Sequence, residues 1–452
     1  MKIYIENIRF WKHISYAMEV MCRCIHLHDI DFMKAEEYLP NDCAVYYGRN
    51  IPQFFKGIFI KEGGFFGDSY LRREGMPRLP LKRYKDIPIL FMESSYEKPD
   101  IIEKDYYTEL NFDLIQSAFF IVTGCEEIIN RDGTFDIHSR YLIENRILYK
   151  ENFLNKPIIN VYAYMLQQCL IYRGMIEAEK RPPAAYAHIS HDVDWPYARK
   201  SELEKELIKN TGVEVKRKAD IGFDIIFETE LKYDIHSSWF FKSGGSNLGY
   251  DRQYDMQDCV VKQLIRRLVQ KGDEVGWHYS YNAAFDPIQF RREYHYFTES
   301  IESDTAYGRN HYLRYMIPET WRTYSDFGIL YDSTLGSAQH EGFIYGICTP
   351  FQLFDAVRGE NLNVWEIPLT VMDGTVCMKT YRGMNPKEVM ETVDQLVQEV
   401  RKYGGVFSLL WHNTSFQAAE WREWENTYYE LMKFLSDSLV CDVGKRIIEA
   451  YQ

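Results

Sequence analysis

YAHISHDVDWP, residues 186–196, decides how the chain is read. The stretch reads as a strand running into two acidic residues and a proline. Residues i and i+2 of a strand share a face, so Asp192 and Asp194 point to one place. Two carboxylates that close repel each other unless a cation sits between them or one is protonated. A divalent metal on one would leave the other free as a base. The plain alternative for an isolated pair is an exposed acidic turn, so the surrounding sequence decides.

Downstream, helical and extended patterns alternate. IGFDIIFETELKYD reads as a helix and HSSWFFKSGG as a strand ending at glycines. QDCVVKQLIRRLVQKGDEVGWHYS reads as a helix, a turn at Lys271, Gly272 and Asp273, and a strand. GILYDSTLG and NVWEIPLTVMD follow, then a helix over 386–402 and the strand GGVFSLLWH. Such alternation predicts parallel strands with helices outside, an α/β layered or barrel fold. Asp192, Asp194, His278, Asp332 and His412 fall at strand C-terminal ends, where α/β folds place their chemistry. One strand-end histidine means little; two of them with a carboxylate pair are harder to assign to packing.

Upstream, the pattern is mixed. Short strands are expected at 56–60 and 87–93, and helices at 112–130 and 156–174, the latter with Pro157 near its start. Pro182 and Pro183 cannot continue a helix. The expected division is a smaller α+β domain over 1–183, of unknown role, and a (β/α) barrel over 184–452.

The net charge of −13 argues against nucleic-acid binding, which needs clustered Lys and Arg. No stretch of 18 apolar residues occurs, so no membrane span is expected. The N-terminus has no unbroken apolar segment with a small-residue cleavage site, and the nine cysteines are irregularly spaced. Both point to the cytoplasm. CRCIHLH at 22–28 does not match zinc-finger spacing and is read as ordinary packing.

SHDVD, KGDEVGWHYSYN and LLWH together resemble the motifs of polysaccharide deacetylases of the NodB-homology type, carbohydrate esterase family 4. The resemblance spans residues 186 to near the C-terminus. It implies a distorted (β/α) barrel and a divalent metal: zinc first, with cobalt, nickel or manganese as alternatives. By the resemblance, Asp192 is the catalytic base, and Asp194 and His278 are metal ligands. His412 is the catalytic acid, and Arg314 in LRY orients the base. The family's second metal histidine falls on Asn282, which would then be the third ligand, with His311 as a substitute. RNHYLRY also offers Arg309 as a rival to Arg314. The chain further resembles a bacterial subgroup with an extra N-terminal domain, through FDLIQSAFFIVTGCEEI and Asp136, His138 and Arg140.

The implied function is metal-dependent removal of an N-acyl (acetyl) group from a carbohydrate or glycan precursor. The rivals are a catalytically weak carbohydrate-binding or scaffolding protein on the same fold, and a glycoside hydrolase on a related barrel. The hydrolase would pair Asp192 with Asp332, Glu366 or Asp373. Strand alternation sends Trp277 and Trp411 away from the site. Trp195, beyond the strand end, is the first candidate for a sugar platform, with Tyr279 and Tyr281 next.

Overall fold

Asp258 caps a 13-residue amphipathic helix, Cys259–Lys271, by accepting from the Val260 amide. Gly272, at φ 92°, ends it and turns the chain into the strand Glu274–Tyr279. This helix–turn–strand unit recurs through the second part of the chain. The computed structural model describes residues 1–40, 42–132, 134–178, 184–211, 217–303, 306–416 and 422–452. The boundary expected at Pro182 and Pro183 lies outside the described residues.

Contacts between Cα atoms divide the chain into two compact units. The first comprises 1–183, 342–363 and 402–405, and the second 184–341, 364–401 and 406–452. The first unit is therefore not one continuous segment. Its six-stranded sheet runs in the order Asp31–Lys34, Lys2–Ile5, Cys43–Gly48, Lys56–Lys61, Tyr107–Leu110, Ile101–Glu103. All neighbours are parallel except the last pair. The helix expected over 112–130 is two helices, Leu114–Val122 and Cys125–Ile129, split where Gly124 takes φ 63°. The segment 22–28 begins in the helix Trp11–Arg23, and Cys22 and Cys24 are buried.

The second unit is built on a parallel sheet that curls into a half-barrel. Its strands are β1 (Tyr186–Val193), β2 (Ser238–Phe241), β3 (Glu274–Tyr279), β4 (Gly308–Asn310), β5 (Tyr331–Asp332), β6 (Glu360–Glu366), β7 (Val371–Met372) and β8 (Val406–Leu410). The order is β6-β5-β4-β3-β2-β1-β8-β7, and the short strand Val440–Cys441 also pairs with β1. Register places Asp192 opposite Phe240, Phe240 opposite Gly276, and His278 opposite Arg309. One inner face therefore carries Ser190, Asp192, Phe240, His278 and Arg309. The side chains of Trp277 and Trp411, one residue out of phase, are fully buried on the other face. No helix among the described residues is long and apolar enough to cross a membrane, and all nine cysteines carry free thiols.

Candidate active site

β1 carries Asp192 inward and is followed by Asp194, which remains on the same side just past the strand. β3 delivers His278 and β4 leads into His311. The ligating atoms of Asp194, His278 and His311 lie within 4.8 Å of one another. His311 Nε2 is 3.1 Å and His278 Nε2 3.5 Å from Asp194 Oδ1.

Each ring is held in one tautomer. His278 Nδ1 donates to the Arg309 carbonyl at 2.9 Å, and His311 Nδ1 donates to Asp251 Oδ1 at 2.8 Å. Both Nε2 atoms therefore face Asp194, the usual outer-shell arrangement of metal-binding histidines. Without a metal, burial opposes a charge on His311, but Asp194 and Asp251 raise its pKa. Asp251 is itself fixed by the Tyr281 amide. Asp194 Oδ1 and His278 Nε2 are buried atoms without a hydrogen-bond partner. Buried polar atoms are nearly always satisfied, so these two converging lone pairs fit a cation. One carboxylate and two imidazoles form a donor set suited to zinc, with positions left open for water and substrate. Burial opposes the charge on Asp194, but His311, His278 and Lys242 hold its carboxyl well below the usual carboxylate range.

Asp192 flanks the cluster. Arg309 Nη1 donates to Asp192 Oδ1 at 2.9 Å, while its other nitrogens donate to the Ser333 carbonyl, Ser190 Oγ and Ser333 Oγ. Both side chains are buried. On another side, His412 Nδ1 is 2.8 Å from Asp373 Oδ1, and its Nε2 is 4.0 Å from Asp194 Oδ2. Asp373 also accepts from the His412 amide, Ser415 Oγ and the Gly374 amide. Burial opposes a charge on His412, yet Asp373 outweighs it and its pKa is pushed up to about 10.

The structure thus brings together Asp192, Asp194, His278 and His412, but not the other two residues first expected beside them. Asn282 lies past the end of β3, where its carbonyl accepts from Phe285 and Asp286 in a turn, and its amide donates to Ser246 Oγ at 2.8 Å. His311 stands in the cluster instead. Arg314 is five residues beyond Arg309, and its guanidinium stacks on Tyr281 at 3.5 Å and on Phe285 at 4.4 Å. Arg309, paired in register with His278, is the arginine that reaches Asp192.

The aromatic candidates divide as well. Tyr279 is fully buried against Trp277, Phe290 and Tyr324. The alternation that turns Trp277 away from the site turns Tyr279 away too. Tyr281 is also buried, stacked on Tyr250 at 4.4 Å and edge-on to Tyr312. Trp195 remains part-exposed beside Tyr197, with Arg252 over its ring.

Asp332 lies opposite Gly308 in register and Glu366 opposite Asp332, so both sit on the sheet face away from Arg309. Both are fully buried, Asp332 accepts from Thr334 and Glu366 accepts from the Leu335 amide. Burial, and for Glu366 also the charge of Asp332, pushes both carboxyls up. Neither can flank a sugar with Asp192. Asp251 and Lys242 had no motif to mark them. Period-2 alternation from Ser238 through Phe240 was the available signal for Lys242.

Residues 1–174 match a family of unknown function (DUF7033). No curated protein matches the chain. Among solved structures, the chain is similar to a Mycobacterium smegmatis protein assigned as a polysaccharide deacetylase, at 16% identity and TM-score 0.40. That likeness covers 61% of this chain and 92% of the other. It is similar to an allantoinase at 13% identity and TM-score 0.40, covering 60% and 94%. It is also similar to a Bacillus anthracis pseudoenzyme of the CE4 family at 14% identity and TM-score 0.30, covering 59% and 66%. At these identities and scores the likenesses say nothing about activity.

Proposed function

We propose that the protein is a metal-dependent hydrolase that removes an N-acyl group from a carbohydrate or glycan precursor. The observation that carries this reading is the convergence of the Asp194, His278 and His311 ligating atoms, beside the Asp192–Arg309 pair and the His412–Asp373 pair. A divalent ion bound by those three residues would lower the pKa of a water and polarise an acyl carbonyl.

The chain's own groups supply the proton movements. Asp192, kept ionised and oriented by Arg309, accepts the proton of the attacking water. The water oxygen bonds to the acyl carbon and the carbon–nitrogen bond breaks. His412, charged through its contact with Asp373, delivers a proton to the departing amine. Trp195, at the part-exposed end of β1, offers an apolar face to a sugar ring.

The test is acetate release from N-acetylglucosamine oligomers by protein loaded in turn with Zn²⁺, Co²⁺, Ni²⁺ and Mn²⁺. Release that a chelator abolishes and metal restores supports the proposal. Chelator-insensitive glycosidic cleavage would replace it with a glycoside hydrolase. Sugar binding without turnover, under every metal, would replace it with a carbohydrate-binding protein.

A further inference from the structure

Lys242 directly follows β2 and shares its inner face with Ser238 and Phe240. Its side chain is 2% exposed, and its Nζ lies 3.9 Å from Asp194 Oδ1. Among the described residues the ammonium makes no hydrogen bond, and Asp194 is its nearest counter-charge. The other carboxylates around the site have cationic or imidazole partners of their own. Asp192 has Arg309, Asp373 has His412 and Asp251 has His311. Asp194 is the carboxylate that Lys242 shares with the metal-ligand cluster, with His412 Nε2 at 4.0 Å on its other oxygen.

This sharing has a thermodynamic consequence. A divalent ion on Asp194 would take over that negative charge and leave the Lys242 ammonium buried without a counter-ion. An uncompensated buried charge is strongly unfavourable, so a third partner must restore neutrality. A single ammonium set among Asp192, Asp194, Asp251 and Asp373 admits one added negative charge and repels a dianion. We infer that Lys242 is a carboxylate-binding residue of the metal-loaded site, and that metal and carboxylate bind cooperatively through it. This rests on the metal reading proposed above. The carboxylate comes either from the acid released on acyl hydrolysis or from an acidic group on the sugar.

Coupling of this kind is reciprocal and has a magnitude of about 5- to 150-fold. The experiment titrates Zn²⁺ against a competing fluorescent chelator, without additive and with acetate, glucuronate or phosphate, for the full chain and for Lys242→Met. The expected result is that acetate or glucuronate tightens Zn²⁺ binding to the unsubstituted chain about 5-fold or more. Lys242→Met binds Zn²⁺ more tightly than the unsubstituted chain without additive and does not respond to carboxylate. Acetate alone acting identifies the released acid as the ligand; glucuronate acting more strongly identifies a sugar carboxylate. Lys242→Gln repeats the comparison should the methionine chain fail to fold by circular dichroism. Equal carboxylate response in both chains, no response in either, or a stronger response to phosphate would overturn the inference and leave the metal site standing. No Zn²⁺ binding by any chain would overturn both.

Discussion

The half-barrel contains two buried polar clusters built from the same kinds of residue, one near the strand starts and one at the strand ends. At the floor, His188 contacts Ser408 Oγ at 3.3 Å through Nδ1 and Ser238 Oγ at 3.1 Å through Nε2. Glu274 accepts from Ser238 Oγ, the Tyr331 hydroxyl and the Lys445 amide. Every polar atom of that set has a partner. At the mouth, Asp194 Oδ1 and His278 Nε2 have none, and their lone pairs meet. Burial of histidine and carboxylate is common to both clusters, so burial does not mark function. What separates them is that the floor satisfies its hydrogen bonds internally, while the mouth leaves them to converge on one point.

Substitutions should therefore read out in different quantities at the two ends. The largest effect is expected from Asp192→Asn at the mouth. Loss of the proposed general base should lower kcat on an N-acetylated sugar by about 10²- to 10⁴-fold, with the Zn²⁺ stoichiometry unchanged. Near-normal turnover would remove Asp192 from the reaction. At the floor, Ser238→Ala takes a donor from Glu274 and a partner from His188. It should cost about 1–3 kcal/mol in urea unfolding and leave Zn²⁺ affinity where it was. A shift in metal affinity would mean the two clusters are one network. Asp251→Asn at the mouth should do the reverse. Replacing the charged carboxylate that orients His311 with a neutral amide should weaken Zn²⁺ binding by about 10- to 100-fold. Asn282→Ala should leave it unaltered, and an equal loss there would return Asn282 to the ligand set.

The mouth was more legible in the sequence than the floor. Asp192, Asp194, His278 and His412 each end a strand, and the same periodicity that predicts the strand predicts the face. What failed was whatever depended on contacts between strands. β4 is three residues long, too short to show alternation, so nothing local ranked Arg309 above Arg314 or His311 above Asn282. Register with β3 ranks them, and register is a property of the pair. Tyr279 failed for a different reason, because its phase relative to Trp277 was available and excluded it. Asp251 acts only through His311, from a loop with no periodicity. At the floor, His188 and Glu274 look in the sequence like any polar residue in a strand, and their mutual satisfaction exists only in the folded barrel.

The gentlest test separates the clusters by the sign of their pH dependence. Burial, reinforced by Arg309 and His191, lowers the pKa of His188 to about 3, so it stays neutral in the fold while the unfolded chain takes up a proton below about 6.5. The unfolded state then binds more protons, and stability is lost as pH falls from about 6.5 toward 3, by at most about 1.4 kcal/mol per pH unit. His412 runs the other way. Its folded pKa of about 10 lies above the unfolded value, so the stability it contributes is complete below about 6.5 and is lost as pH rises toward 10. Urea unfolding of chelator-treated protein at pH 5, 7 and 9 distinguishes them. His188→Gln should flatten only the acid limb, and His412→Gln only the alkaline limb. If both substitutions flattened the same limb, the two histidines would share one electrostatic environment, and the contrast between a self-satisfied floor and an open mouth would fail.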